Sequence, residues 1–224
     1  MSRVTVVDYG IGNLFSVRRA FEQCAVEVEV SDKAEAILNA ERLVLPGVGA
    51  FQNGMQGLEQ RGLIDAILQF ALSGRPFLGI CLGMQMLHSV SEEFGVHRGL
   101  GIIPGKVAGV PLVGADGKPH KIPHIGWNAL FPSSAEVRWK GTILDGIEPG
   151  AAVYFVHSYG VITESPEHQL AHALYDGCKL TAVVQKGAVF GCQFHPEKSG
   201  PVGLRILANF SSMGTRMHTQ EVVR

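Results

Sequence analysis

Phe77-Leu78-Gly79-Ile80-Cys81-Leu82-Gly83-Met84-Gln85 is the stretch that decides the fold. Residues 77–80 are an apolar run that reads as a buried strand. It stops at Cys81, with glycines two residues before and two after. Residues 82–90 read as a helix. A side chain at so sharp a strand-to-helix turn is held out toward solvent, and the flanking glycines remove atoms that would collide there. The pattern is a nucleophile elbow with sulfur in place of a serine oxygen. It sets a thiol at a helix N-terminus, where the dipole favours an anion. It also aims the Leu82 N–H into the space where an oxyanion would form. A buried structural thiol would explain the apolar neighbours of Cys81 but not the paired glycines.

Outward from the elbow, the first half alternates. Residues 4–7 and 43–45 read as buried strands, the latter ended by Pro46-Gly47. Residues 26–30 alternate with period two, as a half-buried strand does. Leu14, Val17, Arg18 and Phe21 recur at helical spacing, although an arginine interrupts the stripe. Residues 55–72 carry a second helical stripe at Ile64, Ile67, Leu68 and Ala71, stopped by Gly74 and Pro76. Strand and helix in alternation predict a parallel sheet covered on both faces. The second half changes character. Residues 101–113, 124–131, 152–159, 179–185 and 188–194 are short strand-like runs between Gly/Pro/Asp turns, with Lys186-Gly187 as a hairpin. Residues 113–119 resemble a surface hairpin, residues 202–210 a closing helix, and residues 211–224 a frayed polar tail. The expected architecture is one α/β domain over residues 1–224. It has a mostly parallel central sheet flanked by helices and a smaller antiparallel subsheet.

Bulk properties narrow the function classes. The chain has 224 residues, with 19 basic against 20 acidic side chains. Near-neutral charge predicts neither a nucleic-acid nor a membrane surface. No apolar run approaches the ~18 residues of a membrane span, and no signal-peptide pattern opens the sequence. Cys24, Cys81, Cys178 and Cys192 form no C-x-x-C pair, which fits a reducing cytoplasmic setting.

A cysteine nucleophile needs a base. A free thiol with pKa ~8.5 is only a few per cent thiolate at neutral pH, and an imidazolium partner can correct this. Among nine histidines, His195 has the most telling context. It ends the apolar run 188–194 and is followed by Pro196 and Glu197. Proline drives the preceding residue out of helical geometry, and in an extended segment residues i and i+2 share a side. His195 and Glu197 therefore lie together, which gives a Cys–His–Glu triad. Pro46-Gly47-Val48-Gly49-Ala50-Phe51 follows a parallel strand, so it falls at the carboxyl edge of the sheet, where ligands bind. A second oxyanion donor there and a plain loop are both compatible with it. Asp8-Tyr9-Gly10-Ile11-Gly12-Asn13 lacks the phosphate-loop lysine and reads as a strand–helix turn. His168 and His172 stand four apart in a loop-like neighbourhood, so no metal site is expected.

Together, residues 79–85 and Gln193-Phe194-His195-Pro196-Glu197 resemble the class I (triad) glutamine amidotransferases. Within that family, Pro123-His124-Ile125-Gly126-Trp127-Asn128, Tyr154-Phe155-Val156-His157-Ser158-Tyr159 and Gln193 through Ser199 are similar to the glutaminase subunits of imidazole glycerol phosphate synthases. Met84 points the same way, since the anthranilate and aminodeoxychorismate relatives usually carry histidine there. Ile125 departs from the usual methionine, a volume-conserving swap.

The resemblance implies a glutaminase that needs no cofactor or metal. Cys81, His195 and Glu197 are catalytic. Leu82, Val48 and Gly49 hold the oxyanion, and Gly47, Gly49, Gln85, Ser158 and Tyr159 hold glutamine. It also implies a heterodimer with a cyclase subunit of TIM-barrel fold, which takes the ammonia. That partner would be contacted through Trp127, Asn128, Tyr154 and Lys186. By themselves Trp127 and Tyr154 read as core aromatics and Lys186 as a hairpin tip. The resemblance further implies low activity until the partner binds its nucleotide, with the 47–49 backbone reorienting. The alternatives are a glutaminase serving another synthase of this class, such as anthranilate synthase, and a pseudo-catalytic binding module.

Overall fold

The computed structural model describes residues 2–214. Three apolar runs form the centre of a large sheet: β1 (Arg3–Val7), β3 (Leu43–Gly47) and β4 (Phe77–Cys81), all buried save Arg3 at the β1 entrance. β2 (Glu27–Ser31) lies outside them as an edge strand and is only half covered.

The helices follow the predicted stripes with two corrections. In α1 (Leu14–Gln23), Val17, Ala20 and Phe21 are buried, and the Asn13 side chain caps the Ser16 N–H at 3.3 Å. Arg18, the exception on that stripe, turns outward and pairs with Glu22 one turn on, at 2.7 Å. α2 (Ala34–Asn39) connects β2 to β3. The stripe expected as one helix over 55–72 is two, α3 (Phe51–Gln60) and α4 (Ile64–Leu72). Gly62, at φ +64°, breaks the ladder between them, a conformation glycine adopts freely. The helix expected over 82–90 ends early. α5 (Leu82–Met86) is a single turn and a half, and the chain re-extends as β5 (His88–Ser91). Tertiary pairing overrides local propensity here, because β5 is captured by β7 (Ile103–Gly109) in parallel and by β6 (His97–Arg98) antiparallel.

The second half supplies β8 (His124–Pro132), β9 (Ala152–His157), β10 (Tyr159–Thr163), β11 (Gln169–Tyr175), β12 (Cys178–Lys186) and β13 (Val189–Cys192). The large sheet has the order β2-β1-β3-β4-β13-β12-β11-β8-β9. Its first five strands are parallel and its remaining pairings antiparallel. Most of the antiparallel strands therefore extend the main sheet, which is mixed. The smaller sheet is β10-β7-β5-β6, antiparallel except for β5–β7. The hairpin at Lys186-Gly187 joins β12 to β13, and Val113 bridges Pro119 in the expected surface hairpin.

α6 (Gly200–Ser212) closes the fold and outruns its expected end. Ser211, placed in the frayed tail from sequence, is buried, and its hydroxyl donates to the Leu207 carbonyl at 2.8 Å. Ser212 also belongs to α6, and residues 215–224 of that tail lie outside the described residues. Two apolar layers sandwich the sheet. One includes Phe21, Phe194, Ile206 and Phe210, and the other Phe51, Phe70, Leu82 and Met84. Among the described residues no helix is long and apolar enough to cross a membrane.

Parallel pairing is what builds the site. Gly47 is in register with Cys81, and Ile80 with Cys192. The ends of β3, β4 and β13 therefore deliver residues 47–49, Cys81 and residues 193–195 to one edge of the sheet.

Candidate active site

Cys81 takes φ +53° and ψ −111°, a strained backbone for any residue with a Cβ. The glycines around it permit this by close approach. A Cβ on Gly83 would stand 1.8 Å from the Leu45 carbonyl oxygen, and one on Gly79 would stand 2.8 Å from Gly83 backbone atoms. The elbow is therefore pressed onto β3, with no space for side chains at either glycine.

The sulfur is not lifted into open solvent as the elbow pattern predicts. Cys81 is 7 % exposed and lies in the wall of a cavity of about 480 Å³. This volume is typical of a small-molecule site. Leu82, Gln85, Val48, Gly49, Ser158, Tyr159 and His195 line the same cavity. The two sheets and α5 thus bring together nearly every residue predicted to contact substrate. Gly47 is the exception. It is buried behind the wall, where a Cβ would meet the Tyr9 hydroxyl at 2.4 Å, so its smallness serves packing. α5 is too short to carry a full macrodipole. The polarising groups at the elbow are instead the Leu82 amide and the facing histidine.

His195 is held from both ends of its backbone. Its N–H donates to the Tyr154 carbonyl at 3.0 Å, and its carbonyl accepts from the Ser199 hydroxyl at 2.7 Å. Its Nδ1 lies 2.8 Å from Glu197 Oε1, and the two side chains are only 3 % and 1 % exposed. With Nδ1–H donated to the carboxylate, Nε2 is the free position. It is buried, with no hydrogen-bond partner among the described residues, and it shares the cavity with Cys81. Burial works against a charge on the ring. Cys81 and Glu197 outweigh it and raise the imidazole to about 10. The site therefore favours an imidazolium beside the sulfur, which can hand a proton to a leaving group.

Several contributors escaped the sequence reading. Gln193 Nε2 lies 3.8 Å from the Cys81 sulfur, and its Oε1 accepts from Gln85 Nε2 at 3.1 Å. Gln85 also donates to the Tyr159 carbonyl at 2.9 Å, so it braces the wall. Tyr9 packs under the elbow and donates to the Pro46 carbonyl at 2.8 Å. Burial, then the neighbouring Cys81, push its phenol upward. Glu93 lines the cavity, and its carboxylate accepts from the Phe51 N–H at 2.6 Å. It caps α3, whose N-cap Ala50 has no side-chain oxygen. None of these contacts is local, so no short motif marks them. Gln193 had a signal as part of the motif around His195, and Gln85 was expected to hold substrate.

The four expected partner-facing residues do not lie together. Trp127 and Tyr154 face each other across β8 and β9, with ring centroids 6.0 Å apart, and Trp127 is 57 % exposed. Asn128, the next residue of β8, turns its side chain to the opposite face, where it meets His124 and the Leu174 carbonyl. Lys186 sits on the hairpin at the amino-terminal end of β13, the opposite end from His195, and donates to the Ile102 carbonyl at 2.8 Å. An exposed lysine on the side of the site is Lys198, directly after Glu197. His168 falls in a short 3-10 turn and His172 on β11. Helical i, i+4 spacing is therefore not realised, and no metal-binding cluster occurs among the described residues.

Comparison with known proteins bears on the family and the fold. The HisH 1 subunit of imidazole glycerol phosphate synthase from Legionella pneumophila (strain Lens) is 54 % identical over 210 residues, which cover 94 % of this chain and 99 % of that protein. The HisH subunit of Geobacillus sp. (strain WCH70) is 45 % identical over 210 residues, 94 % of this chain and 96 % of that protein. Among solved structures, a glutamine amidotransferase superposes with TM-score 0.67 at 18 % identity, covering 92 % of this chain and 98 % of the other. PurLQS from Thermotoga maritima gives TM-score 0.66 at 21 % identity, covering 94 % and 98 %. These structural likenesses speak to the fold, a large mixed sheet with a smaller second one. The model of the family described as glutamine amidotransferase class-I matches residues 5–212, nearly the whole chain, which belongs to that family.

Proposed function

We propose that this chain is the glutaminase subunit of an imidazole glycerol phosphate synthase, hydrolysing glutamine and passing ammonia to a cyclase subunit in histidine biosynthesis. The observation that carries the chemistry is the unpartnered His195 Nε2 facing the cavity of Cys81, with Glu197 behind it. Near-full-length identity to HisH subunits supports the choice of synthase.

The Cys81 sulfur attacks the side-chain amide carbon of glutamine. The resulting oxyanion is held by the Leu82 N–H and by an amide of the Val48–Gly49 loop. The His195 imidazolium gives its Nε2 proton to the amide nitrogen, the C–N bond breaks, and ammonia leaves a glutamyl thioester. Neutral His195 then takes a proton from water, whose oxygen attacks the thioester carbon, and glutamate departs as the sulfur is released. Glu197 holds the Nδ1–H throughout. No cofactor or metal takes part in this scheme.

Free ammonia is mostly protonated at neutral pH, so a docked cyclase that receives it directly preserves its nucleophilicity. The exposed Trp127 with Tyr154, beside His195, is the surface we assign to that partner, and Asn128 and Lys186 are not included. Gly49, at φ +93° with open space about its Cα, leaves the oxyanion loop free to reorient when the partner docks. The test is ammonia release from glutamine, measured with and without the cyclase and its nucleotide. Cys81→Ala should abolish it, and release unchanged in that variant would end the enzymatic reading.

A further inference from the structure

A pair of histidines, of which His157 lines the cavity and His124 stands behind it, takes no part in the steps above. His124 on β8 and His157 on β9 are register partners, and both are buried. His124 Nδ1 lies 2.9 Å from His157 Nε2. Asn128 Nδ2 donates to the Leu174 carbonyl at 2.7 Å. This leaves Asn128 Oδ1 facing His124 Nε2 at 2.8 Å. The reverse amide orientation would press two oxygens together at Leu174. His124 Nε2 therefore donates. At the other end, His157 Nδ1 lies 2.8 Å from the Tyr159 carbonyl, which only accepts, so His157 Nδ1 also donates. Each ring thus holds the single proton of a neutral imidazole on its outer nitrogen. The two inner nitrogens would then present bare lone pairs to each other.

We infer that His124 and His157 share one further proton between Nδ1 and Nε2 and form a buried monocation that reaches the cavity through His157. A second observation favours a cation at this place. The His124 ring lies between the faces of Tyr175 and Phe155, with centroids at 4.1 and 4.9 Å and interplanar angles of 26° and 22°. Aromatic faces attract cations at such distances.

Burial opposes the charge, taking His157 to about 4 and moving His124 downward. Asp176 favours a proton on His124, while His120 opposes it. His195 opposes a proton on His157. Tyr175, stacked on His124, is the remaining titratable group against the pair. The hydrogen-bond geometry outweighs burial, because a neutral pair would leave two buried acceptors facing each other at contact distance.

The consequence is recognition of an anionic group. Glutamine is a zwitterion, and its carboxylate needs a positive wall, just as its ammonium suits the carboxylate of Glu93 in the same cavity. That role rests on the proposed function, whereas the charge rests on the ring geometry alone. The pair also pins the Tyr159 carbonyl, the acceptor that orients Gln85 and through it Gln193 beside the sulfur.

Nitrogen NMR of the full-length protein labelled at histidine tests the inference near neutral pH. Three of the four ring nitrogens should be protonated, with coupling across the Nδ1–Nε2 hydrogen bond. Two protonated nitrogens and no such coupling would overturn it. In His124→Leu, the rate of Cys81 alkylation by anionic iodoacetate relative to neutral iodoacetamide should fall roughly tenfold, the order expected for losing one charge at close range. An unchanged ratio would also overturn it. This ratio reads the cavity whether or not glutamine is the substrate. KM for glutamine should rise by a similar factor, more than kcat falls, and a lowered ratio with unchanged KM would refute the carboxylate role. Should the variant fail to fold, the proton count in the unsubstituted protein decides.

Discussion

Glu197→Gln is the substitution that interrogates the triad with least disturbance. The replacement is isosteric, and the side chain it alters is 1 % exposed and makes a 2.8 Å contact with His195 Nδ1. Turning a charge-assisted hydrogen bond into a neutral one forfeits about 1–1.5 kcal/mol. At 1.36 kcal/mol per pKa unit, His195 should titrate about 1 unit below its place in the unsubstituted protein. The same energy, lost from the imidazolium that protonates the departing nitrogen, predicts a fall in kcat of roughly 5- to 13-fold. KM should change much less.

The sign of the stability effect follows from His195 being raised from 6.5 to about 10. Its protonated form is the one stabilised in the folded state. The stability difference between the unsubstituted protein and Glu197→Gln should therefore be full below about pH 6.5 and shrink as pH rises through about 10. Ammonia release in the presence of the cyclase gives the rate, proton NMR of His195 gives its titration, and urea midpoints across that range give the stability. If kcat stays within about threefold and His195 titrates unchanged, the reasoning is refuted, because Glu197 would then be a bystander.

Three further outcomes are expected. Cys81→Gly should raise stability by about 1 kcal/mol while abolishing turnover, since φ +53° costs a residue with a Cβ about 1–3 kcal/mol and glycine returns part of that gain as unfolded-state entropy; an unchanged or lower urea midpoint would contradict the strain. Gly83→Ala should cost about 1–3 kcal/mol or more, because its Cβ would stand 1.8 Å from the Leu45 carbonyl oxygen, and a native-like denaturation curve would show that the elbow has slack. Trp127→Ala should weaken cyclase binding by roughly tenfold or more whereas Lys186→Ala leaves it unchanged, as titration calorimetry would record; equal losses would disprove the assignment of the partner surface to the His195 side.

The parallel core strands and the elbow were legible because each is written in consecutive residues. An apolar run closed by glycine-spaced Cys81 admits few backbones, and Pro196 forces His195 and Glu197 into a shared local arrangement. Elements whose state depends on distant partners were misread. Residues 88–91 follow a helix and have no strong strand pattern, yet pairing with β7 extends them. The stripe over 55–72 carried the right face but concealed the break at Gly62. Lys186 was grouped with Trp127 by likeness alone, and the direction of β13 separates them.

Neighbouring residues alone dictate which atoms could react: a thiol on a tight turn, an imidazole with a carboxylate two residues on, and the alternating pattern that makes a sheet edge the place to put them. Short-range sterics and periodicity act between neighbours, so they can be read without a fold. The cavity was decided only by tertiary structure. Pairing of β4 with β13 brings Cys81 to His195, and β8 beside β9 sets His124 against His157. Glu93, far along the chain, caps α3 and lines the same wall. Such contacts arise from strand register and burial summed over the whole chain, and no local stretch of residues encodes them.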